Sequence, residues 1–206
     1  MKIWDRAENE LREIATERGA DYFEGPGEAA LYGPKLDFVG KNSAGREWQV
    51  ATIQLDMNLP ERFDLTCINE KGEKERIVMI HSAITGCIER CAALLIEHFE
   101  GNFPLWLSPV QVKVIPVRES HNDYAKAVHQ TLIDAGIRSE LDDSDINLGT
   151  KVRGAKNEKV PYWIVIGDKE VEANTVTLES RDAGQLGAMP LSDVLEKFQI
   201  EIKNKK

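Results

Sequence analysis

The sequence predicts a mixed α/β chain in two parts: an antiparallel sheet with helices over residues 1–104, then a small α/β domain over residues 105–206. Three observations carry that prediction. Apolar residues recur at helical spacing over the first 19 positions and then alternate with polar ones up to about residue 80. The Gly/Pro-bearing stretch GNFPLWLSP separates the halves, placing the boundary near Pro104. Beyond it, apolar runs and amphipathic segments take turns, the pattern of a largely parallel sheet with crossover helices.

The elements follow in order. Asp5 and Glu8 read as an N-cap and capping box, Trp4, Ala7, Leu11 and Ile14 share a helix face, and Gly19 supplies the stop. EGPGEAALYGPKLDFV runs from a loop into an alternating segment, and KNSAG turns it into REWQVATIQL, completing a hairpin. FDLTCI and RIVMI flank NEKGEKE and read as a second hairpin. A helix is expected from about Ala83 to Phe99, with Ile84, Ile88, Cys91, Leu95 and Phe99 as its core stripe. In the second half VQVKVIPV, RSELDD, YWIVIGD and TVTLES read as strands. SHNDYAKAVHQTLIDAG, LGTKVRGAKNEK and LSDVLEKFQIEI read as helices.

Composition narrows the function. The formal charge of −9 argues against non-specific nucleic-acid binding and against DNA as a partner. The deficit lies mainly in residues 1–104, with 12 Lys and Arg against 19 Asp and Glu, whereas the remainder has 14 against 16. Lys151, Arg153, Lys156 and Lys159 form a local basic stretch, either a phosphate-facing patch or a solvated helix face. Three cysteines, Cys67, Cys87 and Cys91, make no even set and no CxxC pair, so a secreted disulfide framework is not expected. No apolar run reaches the length of a membrane span, and the amino terminus lacks a signal-peptide core, so the expectation is a soluble cytoplasmic chain without a membrane partner.

Within MIHSAITGCIERCAALLIEHF, Gly86 and Arg90 are four apart. On one helix they would stack one above the other, leaving a flat platform beside a planar guanidinium, a slot that suits a nucleotide base. Glycine inside a helix costs about 1 kcal/mol relative to alanine, which calls for a packing or functional reason. Glu89 and Arg90 as ordinary surface charges are the other reading.

EGPGEAALYGPKLDF, GREWQVATIQLDMNLPERFDL, VMIHSAITGCIERCAALLIEHFEGNFPLWLSPVQV and VPYWIVIGDKE, in that order, resemble the threonyl-tRNA synthetase family over nearly the whole chain. The resemblance implies part of a class II synthetase antiparallel sheet followed by an anticodon-binding domain. GCIERC resembles the third class II signature, whose arginine stacks on the ATP adenine, so Gly86, Cys87 and Arg90 are implied to bind adenine. Tyr32 and Gln54 are implied to hold threonine, Gln49 and Thr52 the ATP ribose and phosphates, and Lys35, Gln54 and Arg90 to act in catalysis. Thr52 and Gln54 share a strand face, while Gln49 lies on the other unless a bulge intervenes.

His81 matches one ligand of the family's zinc, whose coordination of a hydroxyl can reject an isostere that a hydrophobic pocket would accept. Implied cofactors are therefore ATP with Mg2+, and Zn2+, of whose ligands this chain supplies one. In the second half, Arg153, Lys159 and Glu170 match anticodon-facing positions, while Asp145 and Glu179 replace an asparagine and an arginine. Ser82 and Cys87 replace an arginine and a serine.

The implied function is that of a threonine-tRNA ligase, with threonine, ATP and threonine tRNA as partners. The family's first two signatures and its other zinc ligands are not in this sequence. That implies an isolated chain of low activity and a further partner carrying the upstream catalytic part. The alternative is a non-catalytic tRNA-binding or regulatory module, or an inert fragment. An exposed sheet edge in residues 1–104 would also invite association.

Overall fold

The computed structural model describes residues 2–206, which separate into two compact units divided between His98 and Phe99. The first carries α1 (Lys2–Glu17), β1 (Lys35–Lys41), β2 (Glu47–Asp56), α2 (Asn58–Arg62), β3 (Thr66–Ile68), β4 (Lys74–Arg76), β5 (Met79–Ala83) and α3 (Ile88–Phe99).

Helix α1 buries Ala7, Leu11 and Ala15 at four-residue spacing, while Ile14 is half exposed. It begins before Asp5, so Asp5 lies in the first turn, where its charge suits the helix dipole, rather than at the N-cap. Glu8 accepts a hydrogen bond from Trp4 Nε1 at 2.8 Å instead of closing a capping box. Gly19, at φ +62°, ends the segment as expected.

The antiparallel sheet runs in the order β1-β2-β5. The second hairpin is smaller than the sequence suggested. It joins β3 to β4 through a turn closed by the Asn69 side chain, which accepts from the N–H groups of Lys71 and Glu73. The MIHSA segment leaves it to pair with β2 instead.

The predicted helix from Ala83 is also corrected: Ala83 completes β5, and α3 starts at Ile88 after a turn in which Gly86 takes φ +55°, outside helical geometry. Gly86 and Arg90 therefore do not share a helix face. The expected core stripe is open as well, with Ile84 84% and Ile88 65% exposed and no residue of α3 buried.

The second unit carries β6 (Val112–Pro116), a 3-10 turn at Glu119–His121, α4 (Asn122–Asp134), β7 (Ser139–Leu141), α5 (Leu148–Asn157), β8 (Tyr162–Ile166), α6 (Asp168–Ala173), β9 (Val176–Ser180), β10 (Gly184–Met189) and α7 (Leu191–Lys203). Its sheet has the order β10-β9-β8-β6-β7, parallel among β7, β6 and β8 and antiparallel across β8, β9 and β10. The sheet is thus mixed, because β9 runs antiparallel to β8, and GQLGAM then folds back on β9 as a hairpin strand that its glycines hid from a β-propensity reading.

Both sheet faces are covered. Val112, Val114, Ile164, Ile166, Val176 and Leu178 pack with Ala125, Val128 and Leu132 of α4 and Val194 and Phe198 of α7. The opposite face joins Ile115 and Trp163 to Ala155 of α5. This explains why every residue of β6 is buried, Lys113 included, whose ammonium reaches Glu158. Among the described residues no helix is long and apolar enough to cross a membrane.

Candidate functional site

Register assembles the site in the first unit. Lys35 of β1 lies opposite Gln54 of β2, which lies opposite His81 of β5. Directly paired residues project from the same sheet face, so the three form one row across the three strands. Asp37, Thr52 and Ala83 form the adjacent row.

Strand parity would place Gln49 on the reverse face, but the pairing shifts between Phe38 and Val39, leaving Val50 as an extra residue in β2. This bulge restores Gln49 to the working face, where its Nε2 donates to Asp37 Oδ1 at 2.7 Å. Lys35 Nζ forms an ion pair with the other oxygen of Asp37. The bulge also explains a glycine: a Cβ on Gly86 would stand 2.9 Å from Val50 O, and the residue already has positive φ.

At the other end of the row, Tyr32 donates its hydroxyl hydrogen to Gln54 Oε1 and packs its ring against that of His81, with centroids 5.2 Å apart. Gly33 lets the chain cross β2 here, since a Cβ would lie 1.6 Å from Leu55 O. His81 Nε2 meets Asp56 Oδ2 at 2.8 Å, while Asp56 Oδ1 accepts from the N–H groups of Asn58 and Leu59 at the start of α2.

Asp56 is fully buried. Burial alone pushes its carboxyl up, but the hydrogen bonds from Leu59, His81 and Asn58 outweigh that and hold it below the usual aspartate range. Thr52 Oγ1 is a buried side-chain oxygen without a hydrogen-bond partner, in the middle of the row next to Gln54, a position that invites a polar ligand.

Arg90 does not sit on a glycine platform. Its Nη1 donates to Gln49 O at 3.1 Å, and its guanidinium stands over the Trp48 ring, 5.4 Å from the centroid. Cys87 is exposed and donates its thiol to Glu89 at 2.8 Å, which holds the Glu89 carboxyl below its ordinary value. The sequence reading missed Asp37, Trp48 and Asp56. For Asp56 a signal existed: an acidic residue ending an alternating strand and preceding a short helical segment, where it can bind free backbone N–H groups. Among the described residues no three His, Cys, Asp or Glu side chains stand close enough to hold a metal. His81, oriented by a carboxylate, has the donor chemistry of one such ligand.

The second unit holds Arg153, Lys159 and Glu170 on separate elements. Arg153 is exposed on α5. Lys159 lies beyond that helix at φ +58°, with its Nζ donating to Glu100 O. Glu170 caps α6: its Oε2 accepts from Gly167 N at 2.9 Å and its Oε1 from Thr177 Oγ1 at 2.7 Å. Burial pushes Glu170 up, yet the Thr177 and Gly167 bonds hold it below the usual glutamate range.

The basic stretch is not a continuous patch either, because Lys151 is buried and donates to Pro116 O and Asp142 O. Glu179 accepts from Trp163 Nε1 at 2.9 Å, and Lys156 Nζ stands 5.5 Å from the centroid of the same indole. Asp145 is exposed in the loop before α5.

Comparison with known proteins gives both units a family. Residues 2–99 match the model of the tRNA synthetase class II core domain (G, H, P, S and T), and residues 111–201 match that of the anticodon binding domain. The chain therefore belongs to the class II aminoacyl-tRNA synthetases, as a piece of the catalytic core joined to an anticodon-binding domain.

Its relatives narrow this further. It is 46% identical over 205 residues to threonine–tRNA ligase of Carboxydothermus hydrogenoformans, covering 100% of this chain and 32% of that protein. With threonine–tRNA ligase of Acetivibrio thermocellus it is 50% identical over 202 residues, covering 98% of this chain and 32% of the relative. The crystal structure of the RNA binding domain of threonyl-tRNA synthetase from Cryptosporidium parvum superposes with a TM-score of 0.87 at 36% identity, over 97% of this chain and 51% of that one. The chain corresponds to the carboxy-terminal part of threonyl-tRNA synthetase, spanning about a third of the length of the curated relatives it matches.

Proposed function

We propose that this chain is the carboxy-terminal portion of a cytoplasmic threonine-tRNA ligase. The first unit supplies part of the surface on which threonine is activated by ATP, and the second binds the anticodon of threonine tRNA. The observation that carries the reading is the bulge at Val50, which gathers Gln49 with Lys35, Gln54 and His81 on one sheet face. The amide and hydroxyl groups on it, those of Gln49, Thr52 and Gln54, orient substrates without competing for their protons.

Each residue then has a task. Tyr32 and Gln54 hold threonine, and Thr52 and Gln49 meet the ribose and phosphates of ATP. Arg90, steadied over Trp48, stacks on the adenine, which also contacts the turn at Gly86 and Cys87. Lys35, balanced by Asp37 in the free chain, is the cation that supports the charged phosphate during attack by the threonine carboxylate. Mg2+ would neutralise the ATP phosphates, and Zn2+, with His81 as one ligand, would coordinate the threonine hydroxyl. In the second unit Arg153, Lys159 and Glu170 face the anticodon.

Mixing decides between this and a non-catalytic tRNA-binding or regulatory module, a reading favoured by the missing signatures and by Asp145 and Glu179, which stand in place of an asparagine and an arginine. The chain is combined with a polypeptide carrying the other two thirds of the Acetivibrio thermocellus relative, and threonine-dependent ATP–pyrophosphate exchange is followed. The ligase reading expects exchange from the mixture, from neither part alone, and its loss with Arg90→Ala. A mixture as inert as its parts would overturn it in favour of the non-catalytic module.

A further inference from the structure

The pair formed by Asp56 and His81 carries an inference that no alignment of motifs supplies. Asp56 pairs with Met79 and His81 with Gln54, so the two are diagonal neighbours on the same sheet face. The carboxylate is fully buried and its two oxygens have different duties. Oδ1 receives two backbone N–H groups, Asn58 at 3.0 Å and Leu59 at 2.9 Å, and Oδ2 receives His81 Nε2 at 2.8 Å. An ionised carboxylate only accepts, so the nitrogen that faces it must carry the hydrogen. The imidazole side chain is 38% exposed, its ring is braced by Tyr32, and Nδ1 has no hydrogen-bond partner among the described residues.

We propose that Asp56 is a positioning residue that locks His81 as the Nε2–H tautomer, so that the Nδ1 lone pair is the donor His81 presents to a ligand on the Tyr32–Gln54 face. The use of that donor toward bound threonine or a metal rests on the function proposed above, while the tautomer itself does not. The same arrangement couples the orientation of His81 to α2, because the carboxylate that fixes the ring also receives the first free N–H groups of that helix.

The test is a long-range 1H–15N correlation spectrum of the 206-residue chain with 15N-histidine, at a pH where the imidazoles are neutral and with no substrate or metal present. His81 is assigned by loss of its signals in His81→Gln. Expected for His81 is a protonated, pyrrole-like Nε2 and a pyridine-like Nδ1, with a preference of at least about tenfold, as a hydrogen bond to a charged acceptor supports.

Asp56→Asn sharpens the test. Its Oδ1 stays with the two backbone N–H groups, so its NH2 must face Nε2. A donor there reverses His81 to Nδ1–H. Hydrogen-exchange protection of the Asn58 and Leu59 amides reports whether α2 is still capped. A protonated Nδ1 in the parent chain, or a rapid mixture of both tautomers, would overturn the proposal without need of the variant. So would an unreversed tautomer in an Asp56→Asn chain whose α2 amides remain protected. Failure of the mixing experiment would overturn the ligase reading but leave the tautomer result standing, so the two failures are distinguishable.

Discussion

Two glycines and one phenylalanine show how single positions decide the structure. Gly33 is needed for space, because any Cβ would enter the Leu55 carbonyl. Gly33→Ala should destabilise the first unit by about 3 kcal/mol or more, seen as loss of amide-exchange protection along β2 and β5 while the second unit's protection persists. Gly86 is needed for both its positive φ and its contact with the bulge, so Gly86→Ala should shift the Gln49 and Arg90 resonances as well as lowering stability. Phe198, fully buried against Tyr162 with ring centroids 4.8 Å apart, anchors the second core, and Phe198→Ala should cost about 3–5 kcal/mol in urea unfolding of that unit. At this scale the sequence was a partial guide. It singled out Gly86 but assigned it to a helix, because a glycine's backbone sign cannot be seen in a periodicity count. It passed over Gly33 because the clash partner belongs to another strand.

Elements were legible where a single rule dominated. Strand β8 announces itself as the apolar run YWIVI, and α5 carries its own start signal, with Asn147 Oδ1 accepting from Thr150 N at 2.9 Å. Asn147→Ala should therefore cost about 1 kcal/mol, measured as a lower urea midpoint. Helix α6 was not foreseen. It has only six residues and depends on Glu170, whose contacts with Thr177 and Gly167 are partly non-local. That dependence has a pH consequence. The Glu170 carboxyl is held below its unfolded value, so it adds stability that is fully present above the ordinary glutamate range and is lost as pH falls through the folded value. Glu170→Gln should be less stable than the parent at pH 7, and the two unfolding curves should converge on acidification. The row of site residues lies between legible and hidden. Alternation placed Thr52 and Gln54 together, but the return of Gln49 required a bulge whose partner strand no local pattern specifies.

For the molecule as a whole, the two units differ in how they dispose of apolar surface. The second covers both faces of its sheet, whereas the first leaves Phe23, Leu31, Phe63, Ile68, Ile80, Ile84 and Ile88 more than 60% exposed. So much open apolar surface predicts self-association of the 206-residue chain. Its weight-average mass in sedimentation should rise with concentration, and a monomer at all concentrations would contradict this. Fold class followed from period, because period-2 alternation in the first half and strand–helix alternation in the second each extend over many residues. The exposure of α3 did not, because its apolar stripe looks the same whether or not anything covers it.

The central claim, a carboxy-terminal ligase portion whose second unit binds threonine tRNA by its anticodon, is tested most directly by tRNA affinity. The chain is titrated with threonine tRNA and with the same transcript substituted at the second and third anticodon bases, at one fixed salt concentration because phosphate contacts make affinity steeply salt-dependent. The account predicts at least about tenfold weaker binding of the substituted transcript, the loss expected when base contacts worth about 1–3 kcal/mol each are removed. Binding that is absent, or equal for both transcripts, would contradict it.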